Sequence, residues 1–107
     1  MTTFDKREDA FEKQFVHNEE LKFKAEARRN RMLGLWAAEK LGKTGGEADA
    51  YAREVVTAEI DGAGDGGVVG KIMADLATKS IAMSEDEISA KMNELMAAAV
   101  AQVKAGA

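Results

Sequence analysis

The stretch MLGLWAAEKLG, which occupies residues 32–42, decides the fold. Its first seven residues are apolar on nearly every face of a helix except at Gly34. A helix that is apolar all round must be surrounded by other elements. Gly42 comes directly after the last turn and is typical of a residue that ends a helix. The stretch therefore predicts the second half of a long helix over residues 18–41, with Trp36 as its main core anchor.

Three further helices are predicted toward the carboxyl end. Residues 46–61 carry apolar side chains at the i, i+3, i+4 spacing of one helix face. The glycine-rich sequence GAGDGG at residues 62–67 predicts a flexible break, and the apolar pattern from Val69 to Leu76 predicts a short third helix. Ser84 and Glu87 form a capping-box pattern that opens the fourth helix. Helices joined by such short links predict an all-α, compact four-helix bundle.

The composition fits one small domain and excludes several classes of protein. The chain has 107 residues, no cysteine and a net charge of −4. The lack of cysteine excludes disulfides and thiolate metal sites, and the acidic, mixed charge argues against binding to nucleic acid. No apolar run reaches the roughly 18 residues of a membrane span, and the charged amino terminus lacks a signal-peptide core. We expect a cytoplasmic protein without membrane insertion, cofactor or metal.

A group of basic residues lies in the first half of the long helix, at Lys24, Arg28, Arg29 and Arg31. Four cations in an acidic chain make a weak nucleic-acid footprint. We expect them to form a solvated face or a docking patch for an acidic protein.

The tripeptide Gly42-Lys43-Thr44 resembles the end of a phosphate-binding P-loop. That loop needs a glycine five residues before Gly42, where this chain has Ala37, and it needs a preceding strand. The tripeptide is therefore predicted to close a helix. A weaker anion contact near Lys43 stays open, and with it the alternative of a small helical nucleotide- or ligand-sensing protein.

Other catalytic and metal-binding arrangements lack the residues they need. His17 is the only histidine, and no cysteine is present to pair with it in a nucleophilic site. Asp61 and Asp65 flank glycines but lack the ligand spacing of an EF-hand. The sequence therefore predicts a protein that is not an enzyme.

Phe4, Phe11 and Phe15 form an apolar stripe near the amino terminus. On a helix they lie within roughly 40° of one another, and most of the other residues around them are charged. The three rings could cover the protein's own core. The pattern favours instead a segment that folds on a partner, since so short a helix is marginal in water.

Residues spread over the whole chain carry a resemblance to a known family. They are Thr2–Asp5, Arg7, Glu8, Ala10–Glu12, Phe15, His17, Phe23–Asn30, Leu33–Ala38, Leu41, Gly42, Tyr51, Ala52 and Glu54–Val56. With them the chain resembles the zeta subunit of the alphaproteobacterial F-type ATP synthase. The part from Phe23 to Gly42 is the most specific, because it is long, ungapped and unusual in composition.

The resemblance implies a mobile inhibitory arm over residues 1–17 and a four-helix globular domain over residues 18–107. In the family, the arm inserts between the catalytic alpha and beta subunits of the synthase head and against the central gamma rotor subunit. It blocks ATP hydrolysis and performs no chemistry. We expect the free protein to be monomeric. The residues expected to contact the partner are Thr3, Phe4, Arg7, Glu8, Phe11, Phe15 and His17.

Overall fold

The computed structural model describes residues 19–61 and 64–106. These residues form four helices and no strand: α1 (Glu19–Lys40), α2 (Gly45–Asp61), α3 (Asp65–Thr78) and α4 (Glu85–Lys104). The all-α, four-helix prediction is confirmed. The predicted arm, and the partner-binding residues within it, lie outside the described residues.

The end of α1 follows the predicted glycine signal. Gly42 has a φ of 77°, a conformation that glycine adopts without strain. The backbone N–H of Lys43 donates to the carbonyl of Ala38 at 2.9 Å, and that of Gly42 donates to Glu39 at 3.1 Å. This pair of bonds is the Schellman motif. The tripeptide at 42–44 therefore closes a helix, as predicted.

The start of α3 differs from the prediction for residues 62–67. The helix begins at Asp65 and includes Gly66 and Gly67, so it is longer than predicted. Asp65 is acidic, which suits the first turn of a helix, and its carboxylate lies 2.8 Å from the guanidinium of Arg29 in α1. A tertiary contact thus offsets the low helix propensity of the two glycines.

The start of α4 has the predicted capping box. The hydroxyl of Ser84 accepts from the backbone N–H of Glu87 at 3.1 Å, and the backbone N–H of Ser84 donates to the Glu87 carboxylate at 3.4 Å. Two amide groups that a helix start would leave unpaired are satisfied in this way.

The main core lies where α1 meets the other three helices. Its largest fully buried side chains are those of Leu33, Val55, Val68, Ile72, Leu76 and Ile88. Met92 is buried, and Met73 and Met96 pack against the core clusters, which confirms their prediction as core fillers. A second cluster of buried residues contains Ala25 of α1 and Ala99 of α4, so it packs the first helix against the last.

The prediction of Trp36 as the main core anchor is wrong. The ring is half-buried at the edge of the main core, while Leu33, Ala37 and Ala38 are fully buried. The ammonium groups of Lys40 and Lys91 lie 4.9 and 5.9 Å from the ring centroid. A large ring can stay at the edge because one side packs on the core and cations cover the other.

Gly34 sets the closest approach between α1 and α2. A Cβ atom added there would lie only 2.6 Å from the Cα atom of Ala52 and 3.3 Å from the Cβ atom of Val55. The small side chains of both helices allow this approach. It also fixes α1 and α2 as antiparallel neighbours, because Asn30, one turn earlier, contacts Glu59, one turn later.

Candidate functional site

Residues 1–18 precede α1 in the sequence, and the surface of α1 is therefore the part of the described structure next to them. A groove runs along α1 from Lys24 to Leu35 and has a volume of about 800 Å³. Its apolar lining comes from Ala27, Met32, Leu35 and Val56, and its polar lining from Lys24, Arg28, Arg31 and Gln102. The groove thus combines apolar surface with three cationic side chains.

The three cations keep a positive edge on this groove. The ammonium of Lys24 lies 3.5 Å from the carboxylate of Glu20, and the guanidinium of Arg31 lies 4.0 Å from that of Asp49. Arg28 donates to the amide oxygen of Gln102 at 3.3 Å. The side chains of Lys24 and Arg31 are 61% and 64% exposed, and exposed pairs of this kind contribute little. Both alternatives for these cations, a solvated face and a docking patch for an acidic protein, stay predictions.

Two large apolar side chains are exposed beside the groove. Phe23 is 69% exposed and lies one turn before Ala27, while Ile60 is 79% exposed and lies one turn after Val56. Residues four apart share a helix face, and α1 and α2 run antiparallel. Phe23 and Ile60 therefore extend the apolar lining at the end where residues 1–18 join α1.

Arg29 does not belong to the exposed basic face, contrary to the prediction. It is 4% exposed, and its guanidinium lies 2.8 Å from Asp65 and 3.5 Å from Glu59. Its Nε donates to the side-chain oxygen of Asn30 at 3.0 Å, and the amide of Asn30 donates to Glu59. One arginine thus links α1, α2 and the start of α3. The sequence contains a signal for this burial, since Arg29 lies four residues from both buried Ala25 and buried Leu33.

Glu59 shows why this network needs its arginine. Burial raises the pKa of Glu59, and the nearby carboxylate of Glu26 raises it further. The charge of Arg29 and the hydrogen bond from Asn30 act in the opposite direction without cancelling the rise. The arginine therefore compensates a carboxylate whose charge is costly in this position.

A second polar cluster joins α2 and α3. The hydroxyl of Tyr51 donates to the carboxylate of Asp75 at 2.8 Å, and the ammonium of Lys71 lies 2.9 Å from the same carboxylate. Lys71 also lies 5.0 Å from the Tyr51 ring centroid, with Lys43 at 6.0 Å. Lys43 therefore lies near an aromatic ring and the Asp75 carboxylate, and the anion contact suggested for it stays a prediction.

The pKa shifts in this cluster agree with its contacts. Burial raises the pKa of Tyr51 strongly, and the hydrogen bond to Asp75 adds to the rise. Burial opposes ionisation of Asp75, but hydrogen bonds from Lys71 and Tyr51 outweigh it and hold the pKa of Asp75 below its usual value. The hydrogen bond from the Tyr51 hydroxyl to the Asp75 carboxylate joins α2 to α3.

Across 19–61 and 64–106, no group of three or more His, Cys, Asp or Glu side chains is arranged to hold a metal ion. No helix in these ranges is both long enough and apolar enough to cross a membrane.

Residues 1–102 match the family described as ATPase inhibitor subunit zeta. The chain belongs to this family. A protein whose structure was solved by NMR in solution is 49% identical in sequence to this chain, and the two structures superpose with a TM-score of 0.70. The similarity covers 81% of this chain and 99% of the solved chain. No curated protein matches the sequence significantly. The family assignment includes residues 1–18, which precede α1.

Proposed function

We propose that this chain binds the catalytic head of F-type ATP synthase and blocks ATP hydrolysis through residues 1–17. Its partners are the catalytic alpha and beta subunits and the central gamma rotor subunit. The chain performs no chemistry and acts in the cytoplasm, on the head of the membrane-bound synthase. The observation that carries the proposal is the match to an ATPase inhibitor family from residue 1 onward.

The sequence pattern of residues 1–17 supports this role. Ordering such a segment costs about 1–2 kcal/mol per residue, so the bound state must recover this free energy from its contacts. Burial of the rings of Phe4, Phe11 and Phe15 recovers part of it, and charge-assisted hydrogen bonds from Arg7 recover more. A segment held in this way between subunits obstructs the rotary cycle sterically.

The organisation of the four helices supports the same division of roles. Within the described ranges, the buried residues of the main core come from α1, α2, α3 and α4. Every buried side-chain nitrogen or oxygen in the described residues has a hydrogen-bonding partner. This supports a bundle whose described interior is satisfied by its own helices, with residues 1–17 serving to bind another protein.

The proposal is tested by removing one central ring. Phe11→Ala should weaken inhibition of ATP hydrolysis by the synthase head by about 2 kcal/mol, or roughly 30-fold, because central aromatic residues dominate such interfaces. The measurement is the concentration of the variant needed for half-maximal inhibition. Circular dichroism of the same sample should show an unchanged helical content.

Lys13→Ala is the matched control for this experiment. On a helix Lys13 lies on the face opposite the three rings, so its truncation removes a long side chain without touching the stripe. It should change the half-inhibitory concentration by only a few-fold. Equal inhibition by Phe11→Ala and by the parent chain would contradict the proposed role of the stripe.

A further inference from the structure

The face of α1 that lines the groove carries a row of cations between apolar side chains. On the helix, Lys24, Arg28 and Arg31 lie within about 60° of arc, and Ala27 and Met32 lie on either side of them. We call these three cations the cationic stripe. The whole chain has a net charge of −4, so the stripe is a local positive surface on an acidic protein. It therefore favours an occupant with acidic groups next to apolar ones.

Two exposed apolar side chains converge on one end of this groove. Phe23 and Ile60 are the large apolar side chains that are exposed in the described ranges. Asn30 of α1 contacts Glu59 of α2, and the two helices are antiparallel, so Ile60 lies beside the turn of α1 that precedes Asn30. Phe23 and Ala27 belong to that part of α1. Single apolar side chains scattered over a surface need no explanation, but two that extend one apolar groove indicate a surface that another molecule covers.

The ion pairs within the chain leave the stripe able to bind. The ammonium of Lys24 lies 3.5 Å from Glu20, and the guanidinium of Arg31 lies 4.0 Å from Asp49. All four side chains are more than half exposed, so water screens these pairs and they contribute little. A carboxylate that approaches within an interface from which water is excluded interacts more strongly. The cations can therefore exchange their present partners for those of an occupant.

The shape of the groove suits a helix. Lys24 and Leu35 are eleven residues apart, which is about 16 Å or three helical turns. The cations follow one another at intervals of four and three residues, and a second helix with carboxylates at the same intervals presents one to each cation. Val56 of α2 and Gln102 of α4 complete the lining, so the surface is concave. A concave surface fits a rod better than it fits a flat bilayer.

We propose that this groove binds an acidic amphipathic helix of another protein. The carboxylates of that helix pair with Lys24, Arg28 and Arg31, and its apolar side chains cover the apolar lining together with Phe23 and Ile60. The small and flexible side chains beside the stripe let the two helices approach closely. The chain then has a contact surface on its bundle in addition to its amino-terminal segment, and this surface consists only of described residues.

A synthetic helical peptide is the probe for this surface. It has about 18 residues, with leucine at every third or fourth position, glutamate beside the leucines at intervals of four and three, and alanine elsewhere. It is added to the isotope-labelled full chain, and the backbone amide signals are followed by NMR. The signals of Ala27, Arg31, Val56 and Ile60 should shift together as the peptide binds. The signal of Ala74 in α3 should stay in place, since α3 contributes no residue to the groove.

Two altered peptides separate the charged and the apolar contributions. Glutamine in place of glutamate keeps the size and the helix propensity but removes the charge, and it should weaken binding roughly tenfold. Serine in place of leucine should abolish the shifts. Equal binding of the glutamate and glutamine peptides, or no shift in the groove signals up to about 1 mM of the glutamate peptide, would overturn the proposal.

Variants of the chain locate the contact. Lys24→Glu/Arg31→Glu reverses two charges of the stripe and should weaken peptide binding at least tenfold, and Phe23→Ser/Ile60→Ser should weaken it by a similar factor. Lys79→Glu reverses an exposed cation that does not line the groove, so it should leave binding within about twofold. Circular dichroism should show the same helical content in all three variants. A Lys79→Glu chain that loses as much affinity as Lys24→Glu/Arg31→Glu would refute the assignment to the groove.

Vesicles of phosphatidylglycerol test the other acidic surface that could attract the stripe. We expect no shift of the groove signals when such vesicles are added to the chain. Shifts with the vesicles and none with the glutamate peptide would overturn the proposal in favour of a lipid surface. None of these measurements contains ATP synthase, and none depends on the rings of residues 1–17. The proposal therefore stands or falls separately from the proposed inhibition.

Discussion

The two sides of α1 differ although they belong to one helix. Its inner side carries fully buried Ala25, Leu33 and Ala37, together with Arg29, which bonds across to α2 and α3. Its outer side carries Lys24 and Arg31, both mostly exposed, beside the groove. Arg29 and Arg31 are two residues apart and have opposite environments. The sequence composition of this helix therefore does not reveal which cation stabilises the fold and which is free to serve recognition.

This difference indicates how one small bundle combines stability with binding. The inner side of α1 organises the core, so a large change there disturbs the whole domain. The outer side contributes little to the core, so its charges are not needed for the fold. Substitutions on the two sides should separate these effects.

The largest effect is expected at Arg29. Arg29→Ala leaves Glu59 beside Glu26 without its compensating cation and removes the contact that fixes the start of α3. The free energy of unfolding should fall by about 3 kcal/mol, the lower end for breaking a buried pair, because Asp65 is mostly exposed whereas Arg29 and Glu59 are largely buried. Urea titration followed by circular dichroism measures this change.

Arg31→Ala is the matched control on the outer side. Its guanidinium is 64% exposed and lies 4.0 Å from its partner Asp49. The free energy of unfolding should change by less than about 1 kcal/mol. Equal losses at Arg29 and Arg31 would mean that the two sides of α1 are not energetically distinct.

The next effect is expected at the contact between α1 and α2. Gly34→Ala places a methyl group 2.6 Å from the backbone of Ala52, so the helices must move apart, and we expect a loss of about 2 kcal/mol. Gly70→Ala changes a glycine inside α3 that has open space around it, and it should stabilise the chain by about 0.5–1 kcal/mol. A melting temperature that falls in Gly34→Ala and rises in Gly70→Ala, each relative to the parent chain, would confirm the close contact. A stabilised Gly34→Ala chain would refute it.

A smaller effect is expected at Tyr51. Tyr51→Phe removes one hydrogen bond to Asp75 and should lower the free energy of unfolding by about 1 kcal/mol at neutral pH. The pKa of Tyr51 is raised in the folded chain, so its contribution is complete below the unfolded value of about 10 and is lost as the pH rises above it. Stability should therefore fall more steeply above about pH 10 in the parent than in the variant. Parallel curves for both chains would contradict the hydrogen bond.

Asp75 makes the stability of the same cluster depend on pH in the acidic range as well. Because the pKa of Asp75 is lowered by Lys71 and Tyr51 against the effect of burial, its contribution is present above the unfolded value of about 4 and is lost as the pH falls below it. Tyr51→Phe removes one of the two hydrogen bonds responsible. The variant should accordingly lose less stability on acidification than the parent does.

Local signals predicted much of the fold. Gly42 and the Ser84–Glu87 pair end and start helices through bonds within a few residues, so sequence alone indicates them. The start of α3 was not predictable in this way, because it depends on a contact between Asp65 and Arg29, which are 36 residues apart. The position of Trp36 also depends on its neighbours in space, since Lys91 comes from another helix.

The binding surface was predictable only in part. The cations of α1 were expected to form a solvated face or a docking patch, but the groove itself also needs Val56 and Gln102 from two other helices. Arg29 was assigned to the wrong side, although its spacing from Ala25 and Leu33 would have indicated burial. The predicted contacts Thr3, Phe4, Arg7, Glu8, Phe11, Phe15 and His17 stay predictions, since they lie outside the described residues.

Deletion of residues 1–17 tests the division of roles between this segment and the bundle most directly. The truncated chain and the full chain are compared in two measurements: the helical circular dichroism through a thermal melt, and the ATP hydrolysis of the isolated synthase head. We predict that the truncated chain keeps its helices and its cooperative melt but no longer inhibits hydrolysis. Inhibition by the truncated chain at the concentration that suffices for the full chain would contradict the proposed mechanism.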